Sequence, residues 1–135
     1  MEYCIQAWRP HLVKDIDRLE RVQRRATRMI RECKGKDYEL RLKNLNLTTL
    51  ETRRTRADMI EVWKIVNGLE GISEEVFFSR FLPGSTSTFT RGHMYKFCKK
   101  RFNSDTGKYS FKNRVISEWN LLPADVAQAK SIDSF

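Results

Sequence analysis

Residues 18–31 read RLERVQRRATRMIR, six arginines and no lysine in fourteen residues. Few segments restrict a fold so strongly. Leu12, Ile16, Leu19, Val22, Ala26, Met29, Ile30 and Cys33 recur at spacings of three and four, which is the helical period. On a helical wheel with Arg18 at zero they occupy an arc of about 20° to 160°. Arg18, Arg21, Arg24, Arg25, Arg28 and Arg31 occupy about 220° to 360°, so the two sets do not overlap. The pattern predicts a long helix with its apolar side buried and a ridge of guanidinium groups on the other side.

Two readings of the ridge compete. A solvated face is stabilised by pairs at i,i+4, here Asp17–Arg21 and Glu20–Arg24, each contributing about 0.2–0.5 kcal/mol. Arg25, Arg28 and Arg31, however, have only Glu32 near them in sequence. Lysine would serve solubility equally well, whereas arginine matches phosphate with a two-pronged donor fork. Phosphate contact is therefore the favoured reading.

The charge of the whole chain points the same way. Its 135 residues carry a formal net charge of +9. The excess is clustered: net +6 over residues 1–66, −2 over 67–90, +7 over 91–114 and −2 over 115–135. Clustered basicity is the electrostatic footprint of a nucleic-acid binder. With 40% hydrophobic and 32% charged residues the composition is globular, and the length suits one domain with a modest core. No apolar run approaches the ~18 residues of a membrane span, and the opening MEYCIQAWRP does not read as a secretory signal. Cys4, Cys33 and Cys98 are odd in number and far apart, with no C-x-x-C, so neither a disulfide framework nor a zinc site is expected. The chain reads as intracellular, with nucleus and cytoplasm not distinguished.

The remaining pattern is mainly α, about five helices. Lys34-Gly35-Lys36 breaks the first, and Asp37 can cap a short one carrying Leu40, Leu42 and Leu45. Thr48-x-x-Glu51 reads as a capping box, opening a helix through Ile60, Val62, Trp63, Ile65 and Val66 to a stop glycine, Gly68. Ser73-Glu74-Glu75 reads as a cap before Val76, Phe77 and Phe78, which are expected in the core. Residues 82–92, LPGSTSTFTRG, read as a loop. In residues 93–111 aromatics alternate with cations around the turn-like Asn103–Gly107, which predicts a short basic β-hairpin. Its Tyr95, Phe97 and Phe111 are expected to pack on the helices while Lys99, Lys100 and Arg101 stay in water. A last helix carries Val115, Trp119 and Leu122 and stops at Pro123. The expected organisation is a basic helical region over 1–81, a loop over 82–92, and a hairpin plus helix over 93–135, packed as one domain.

A catalytic constellation is not expected. Asp15 and Asp17 diverge at i,i+2 on a helix and cannot converge on two cations about 4 Å apart. His11 and His93 have no acid neighbour, the phosphate-cradling G-x-x-x-x-G-K-[ST] pattern is missing, and neither metal nor cofactor is implied.

The run EYCIQAWRPHLVKDIDRLERVQRRATRMI (2–30) resembles the segment that follows the polymerase core in non-LTR, LINE-type (jockey-like) retrotransposon reverse transcriptases, which are RNA-directed DNA polymerases of mobile elements. NLNLTTLETRRTRADMIEVWKIVNGL (44–69), TRGHMYKF (90–97) and KNRVISEWNLLPADVAQAKSIDSF (112–135), with its R-V-x-x-E-W-N-x-L-P, continue the likeness in order along almost the whole chain. The resemblance implies a thumb and post-thumb region whose helices grip the template–primer duplex by its backbone. It implies binding by Arg18, Arg21, Arg24, Arg25, Arg28 and Arg31 first, then by Arg53, Arg54 and Arg56 in the T-R-R stretch; Lys99, Lys100 and Arg101 join them on charge. It also implies a protein partner, the polymerase palm. The family's catalytic aspartate pair, fingers and palm are not in this sequence, so the expected role is non-catalytic, and residues 31–41 depart from the family's proline–glycine turn. Two other readings stay open: a helical protein-interaction module meeting acidic partners through Trp8, Trp63 and the hairpin rim, or a decayed remnant without activity.

Overall fold

The computed structural model describes residues 3–81 and 93–135. The expected loop 82–92 lies outside the described residues. The chain forms two compact units, Met1–Ala57 and Asp58–Phe135, and the division falls inside a helix. Among the described residues there are eight α-helices, one 3-10 turn and no strand, so the mainly α class holds with more and shorter helices than expected.

The first unit contains α1 (Ile5–Trp8), α2 (Val13–Met29), a 3-10 turn (Arg31–Cys33), α3 (Tyr38–Asn44) and the start of α4 (Leu50–Val66). Helix α2 stops earlier than the Lys34-Gly35-Lys36 break: Ile30 is already extended, at φ −74° and ψ 126°. The 3-10 turn that follows swings Cys33 into full burial, and Gly35, at φ +74°, then reverses the chain in a conformation that side chains resist. Asp37 does precede α3, but its side chain makes no capping bond. Helix α3 ends on Asn46 in the left-handed region, with Leu47 N–H donating to Leu42 C=O at 2.8 Å and Asn46 N–H to Lys43 C=O at 3.1 Å, a Schellman closure. Of α3's leucines, Leu42 is buried and Leu40 exposed.

Helix α4 begins one residue later than the Thr48 box implies. Thr49 is the cap, its Oγ1 accepting from Thr52 N–H at 3.2 Å. Gly68 ends the helix as expected, at φ +70°: its N–H donates to Ile65 C=O at 3.1 Å and Leu69 N–H to Lys64 C=O at 2.9 Å.

The second unit contains the rest of α4, α5 (Glu74–Phe77), α6 (Asp105–Tyr109), α7 (Phe111–Leu121) and α8 (Ala124–Ala127). Its core is apolar and aromatic: Met59, Val62, Trp63, Phe78, Phe97 and Trp119 are among ten buried members. Phe78 and Phe97 stack with centroids 4.4 Å apart. Val76, expected in this core, is instead 69% exposed, because α5 is one turn long and turns only Phe77 and Phe78 inward. Asp58, fully buried, accepts from Arg114 Nε and Nη2, both at 3.0 Å.

The expected β-hairpin over 93–111 does not form. Its supposed turn is a helix start: Ser104 Oγ accepts from Gly107 N–H at 3.2 Å and opens α6. The extended part finds other partners. Phe97 makes an isolated antiparallel bridge with Arg80, and Cys98 N–H donates to Ser79 C=O at 2.8 Å. On α7, Asn120 accepts from Phe97 N–H and donates to Phe97 C=O, both at 2.9 Å. A side-chain amide thus supplies the donor and acceptor that a second strand would have supplied. Tyr95, Phe97 and Phe111 do pack inward as expected.

Candidate nucleic-acid interface

Helix α2 has three faces rather than two. The side turned into the first unit carries Glu20, Gln23 and Thr27, all buried, at about 140° to 200° on the wheel that places Arg18 at zero. Ile16 and Leu19 are half-buried beside it, whereas Val22 and Met29 are 51% and 79% exposed. The expectation that the apolar arc would be the buried one is therefore corrected: the helix is rotated so that a polar seam faces inward. This is tolerable because burial is costly only for polar groups without partners, and the seam is well bonded.

Glu20 Oε1 accepts a hydrogen bond from the Tyr38 hydroxyl, and its Oε2 accepts from Leu50 N–H at 3.0 Å. The carboxylate thus sits at the N-terminus of α4, where negative charge is favoured. Gln23 Nε2 donates to Tyr38 Oη and to Thr48 C=O, both at 3.0 Å, while its Oε1 accepts from Arg53 Nη2. Thr27 Oγ1 donates back to Arg24 C=O at 3.1 Å. Burial, together with the Glu20 carboxylate, pushes the Tyr38 phenol above its ordinary pKa. The seam clamps α2 to α3 and to the start of α4, and so fixes which way the opposite face points.

That opposite face is the arginine ridge. Arg18, Arg21, Arg24, Arg25, Arg28 and Arg31 are all exposed. The anticipated Glu20–Arg24 pair is not made, since Glu20 points inward; Arg24 instead lies over the Tyr38 ring, 4.8 Å from its centroid. Arg18 pairs weakly with Asp15 at 3.5 Å. Arg21, Arg25, Arg28 and Arg31 form no ion pair among the described residues. Arg28 lies in the last turn, where a cation complements the helix dipole. From Arg18 to Arg28 the ridge rises about 15 Å, the axial length of about four base-pair steps. A row of exposed guanidinium groups of this length can engage successive phosphates without reading bases.

The other basic residues divide. Arg56 is exposed. Arg53 is half-buried and engaged with Gln23. Arg54 is only 1% exposed, its guanidinium 5.6 Å from the Trp8 ring centroid, so it supports the first unit from within and is corrected out of the cationic surface. In the second unit Lys99, Lys100 and Arg101 are exposed, with Lys99 Nζ donating to Ser117 Oγ at 2.6 Å. Trp63, considered for a protein contact, is buried, with Nε1 donating to Ala129 C=O at 3.1 Å. Trp8 is 42% exposed.

Sequence reasoning missed the seam. Its signal was present: Glu20, Gln23 and Thr27 are the non-basic polar residues interrupting the arginine run, at spacings of three and four. Among the described residues no group of three or more His, Cys, Asp or Glu is placed to hold a metal ion, and no helix is long and apolar enough to cross a membrane. No protein-family model, curated protein or solved structure matches the chain.

Proposed function

We propose that this chain is a non-catalytic piece of a non-LTR retrotransposon reverse transcriptase, and that it binds nucleic-acid duplex through phosphates along the α2 ridge. The family origin rests on the sequence likeness of residues 2–30, 44–69, 90–97 and 112–135; the observation that carries the binding reading is the ridge itself, six exposed arginines on one helix, four of them without an ion-pair partner among the described residues. Of the nearby acids, Asp15 reaches only Arg18, Asp17 makes no ion pair among the described residues, and Glu20 is spent on the seam. Arg18, Arg21, Arg24, Arg25, Arg28 and Arg31 form the proposed grip, with Arg56 and the Lys99–Lys100–Arg101 cluster as secondary contacts.

Fluorescence anisotropy of a labelled RNA–DNA hybrid, titrated at several salt concentrations, tests this. Affinity should fall steeply with salt, the log–log slope being about −0.9 per phosphate neutralised on B-form duplex. Replacing Arg21, Arg25 and Arg28 together with Ala should weaken every duplex sequence alike and flatten the slope by about one unit per lost contact. Unchanged affinity in the triple variant would refute the grip.

One observation favours a second reading, a protein-interaction surface: Val22 and Met29 form an exposed apolar strip beside the arginines. Shallow salt dependence with partner selectivity would favour it over duplex binding.

A further inference from the structure

Between the end of α2, the 3-10 turn and α3 lies a recess of about 510 Å³. Arg24, Arg28, Lys34, Lys36 and Arg41 line it against a single carboxylate, Asp37. Arg24 and Arg28 belong to the ridge; the other three cations do not. Arg41 is the informative one. It is 4% exposed, its Nε has no hydrogen-bond partner among the described residues, and its guanidinium lies 5.5 Å from the Tyr38 ring centroid. A buried guanidinium without a carboxylate partner is costly, and a π-face offsets only part of that. What such a site lacks is an anion.

From this geometry we infer that the recess binds a multiply charged phosphate anion, either free, as inorganic pyrophosphate is, or as the phosphorylated end of a nucleic-acid strand. Net positive charge on the lining favours a doubly charged group over the singly charged diester of a continuous backbone. A terminal or free phosphate can also enter a recess without a backbone being bent into it. Arg41 would supply donors from the floor, while Lys34 and Lys36, both exposed, would act as point charges at the rim. The inference deepens the duplex reading by adding end recognition, and it rests on that reading only for the strand-end source.

The full chain tests it with two probes. Calorimetry with inorganic pyrophosphate reads the recess directly. Anisotropy compares one labelled duplex carrying either a 5′-phosphate or a 5′-hydroxyl. Arg41→Gln removes the buried cation; the Lys34→Ala/Lys36→Ala pair changes only exposed residues and covers the case in which Arg41→Gln fails to fold. A strand-end site predicts at least about tenfold tighter binding of the phosphorylated duplex, the scale of one charge-assisted contact, with the advantage lost in both variants and the 5′-hydroxyl duplex bound as before. A free-anion site predicts pyrophosphate binding weakened in both variants with no preference between duplex ends. No pyrophosphate binding and no end preference, or either one unchanged in both variants, overturns the inference. Salt-steep binding of the 5′-hydroxyl duplex under those conditions leaves the duplex reading standing. Pyrophosphate binding without any duplex binding would do the reverse.

Discussion

Replacing Glu20 with Ala is the sharpest test of how the first unit is held together. The Glu20 carboxylate accepts from Tyr38 Oη and from Leu50 N–H. Leu50 is 2% exposed, so water cannot readily replace the lost acceptor, and the orphaned amide should cost about 2 kcal/mol. Tyr38 is half-buried and keeps Gln23 as a donor to it, so its loss should be smaller, about 1 kcal/mol. The sum, about 3 kcal/mol, is roughly a 150-fold change in the unfolding equilibrium. Glu20→Gln retains one oxygen and should lose about half as much. Because the chain has two units, a single global transition is not assumed. Native-state hydrogen exchange at the Leu50 amide, alongside urea unfolding followed by circular dichroism, gives a local reading. A Glu20→Ala chain within about 0.5 kcal/mol of the parent, with Leu50 still protected, would refute the seam. A cycle with Tyr38→Phe should show coupling of at least about 0.5 kcal/mol.

Two substitutions address the second unit. Asp58→Ala leaves Arg114 largely buried without its two-pronged acceptor, and should destabilise the unit by about 3–5 kcal/mol in denaturant titration. Asn120→Ala removes both bonds to the Phe97 backbone and should cost about 1–3 kcal/mol, with amide exchange at Phe97 accelerated far more than at Val115.

The parts that sequence made legible are those set by local rules. Gly68 ends α4 because a left-handed residue closes its last turn. The arginines of 18–31 lie on one exposed face because the helical period puts them there. The errors share one physical origin, the satisfaction of polar groups at long range. Apolar periodicity assigned the inward face of α2 to Val22 and Met29, but the Tyr38 hydroxyl and the Leu50 amide draw Glu20 inward instead. Alternating aromatics suggested a hairpin, yet Asn120, more than twenty positions from Phe97, takes the place of the partner strand. Arg54 sits in a basic cluster yet is buried over Trp8. In each case the decisive partner is distant in sequence, beyond the reach of a local pattern. The recess was hidden for the same reason, since Arg41 joins Arg24 and Arg28 only once α3 folds back.

The seam also bears on how this chain can change over generations. In the second unit, aliphatic core positions such as Val62, Ile65 and Val115 can exchange among side chains of similar volume at small cost, so neutral drift has many single steps open to it. Glu20, Gln23, Tyr38 and Arg53 form interlocking donors and acceptors, and altering one strands the others. The four should therefore vary together or not at all. Arg21, Arg25, Arg28 and Arg31 stand outside this network, so losing any one of them would leave the seam intact.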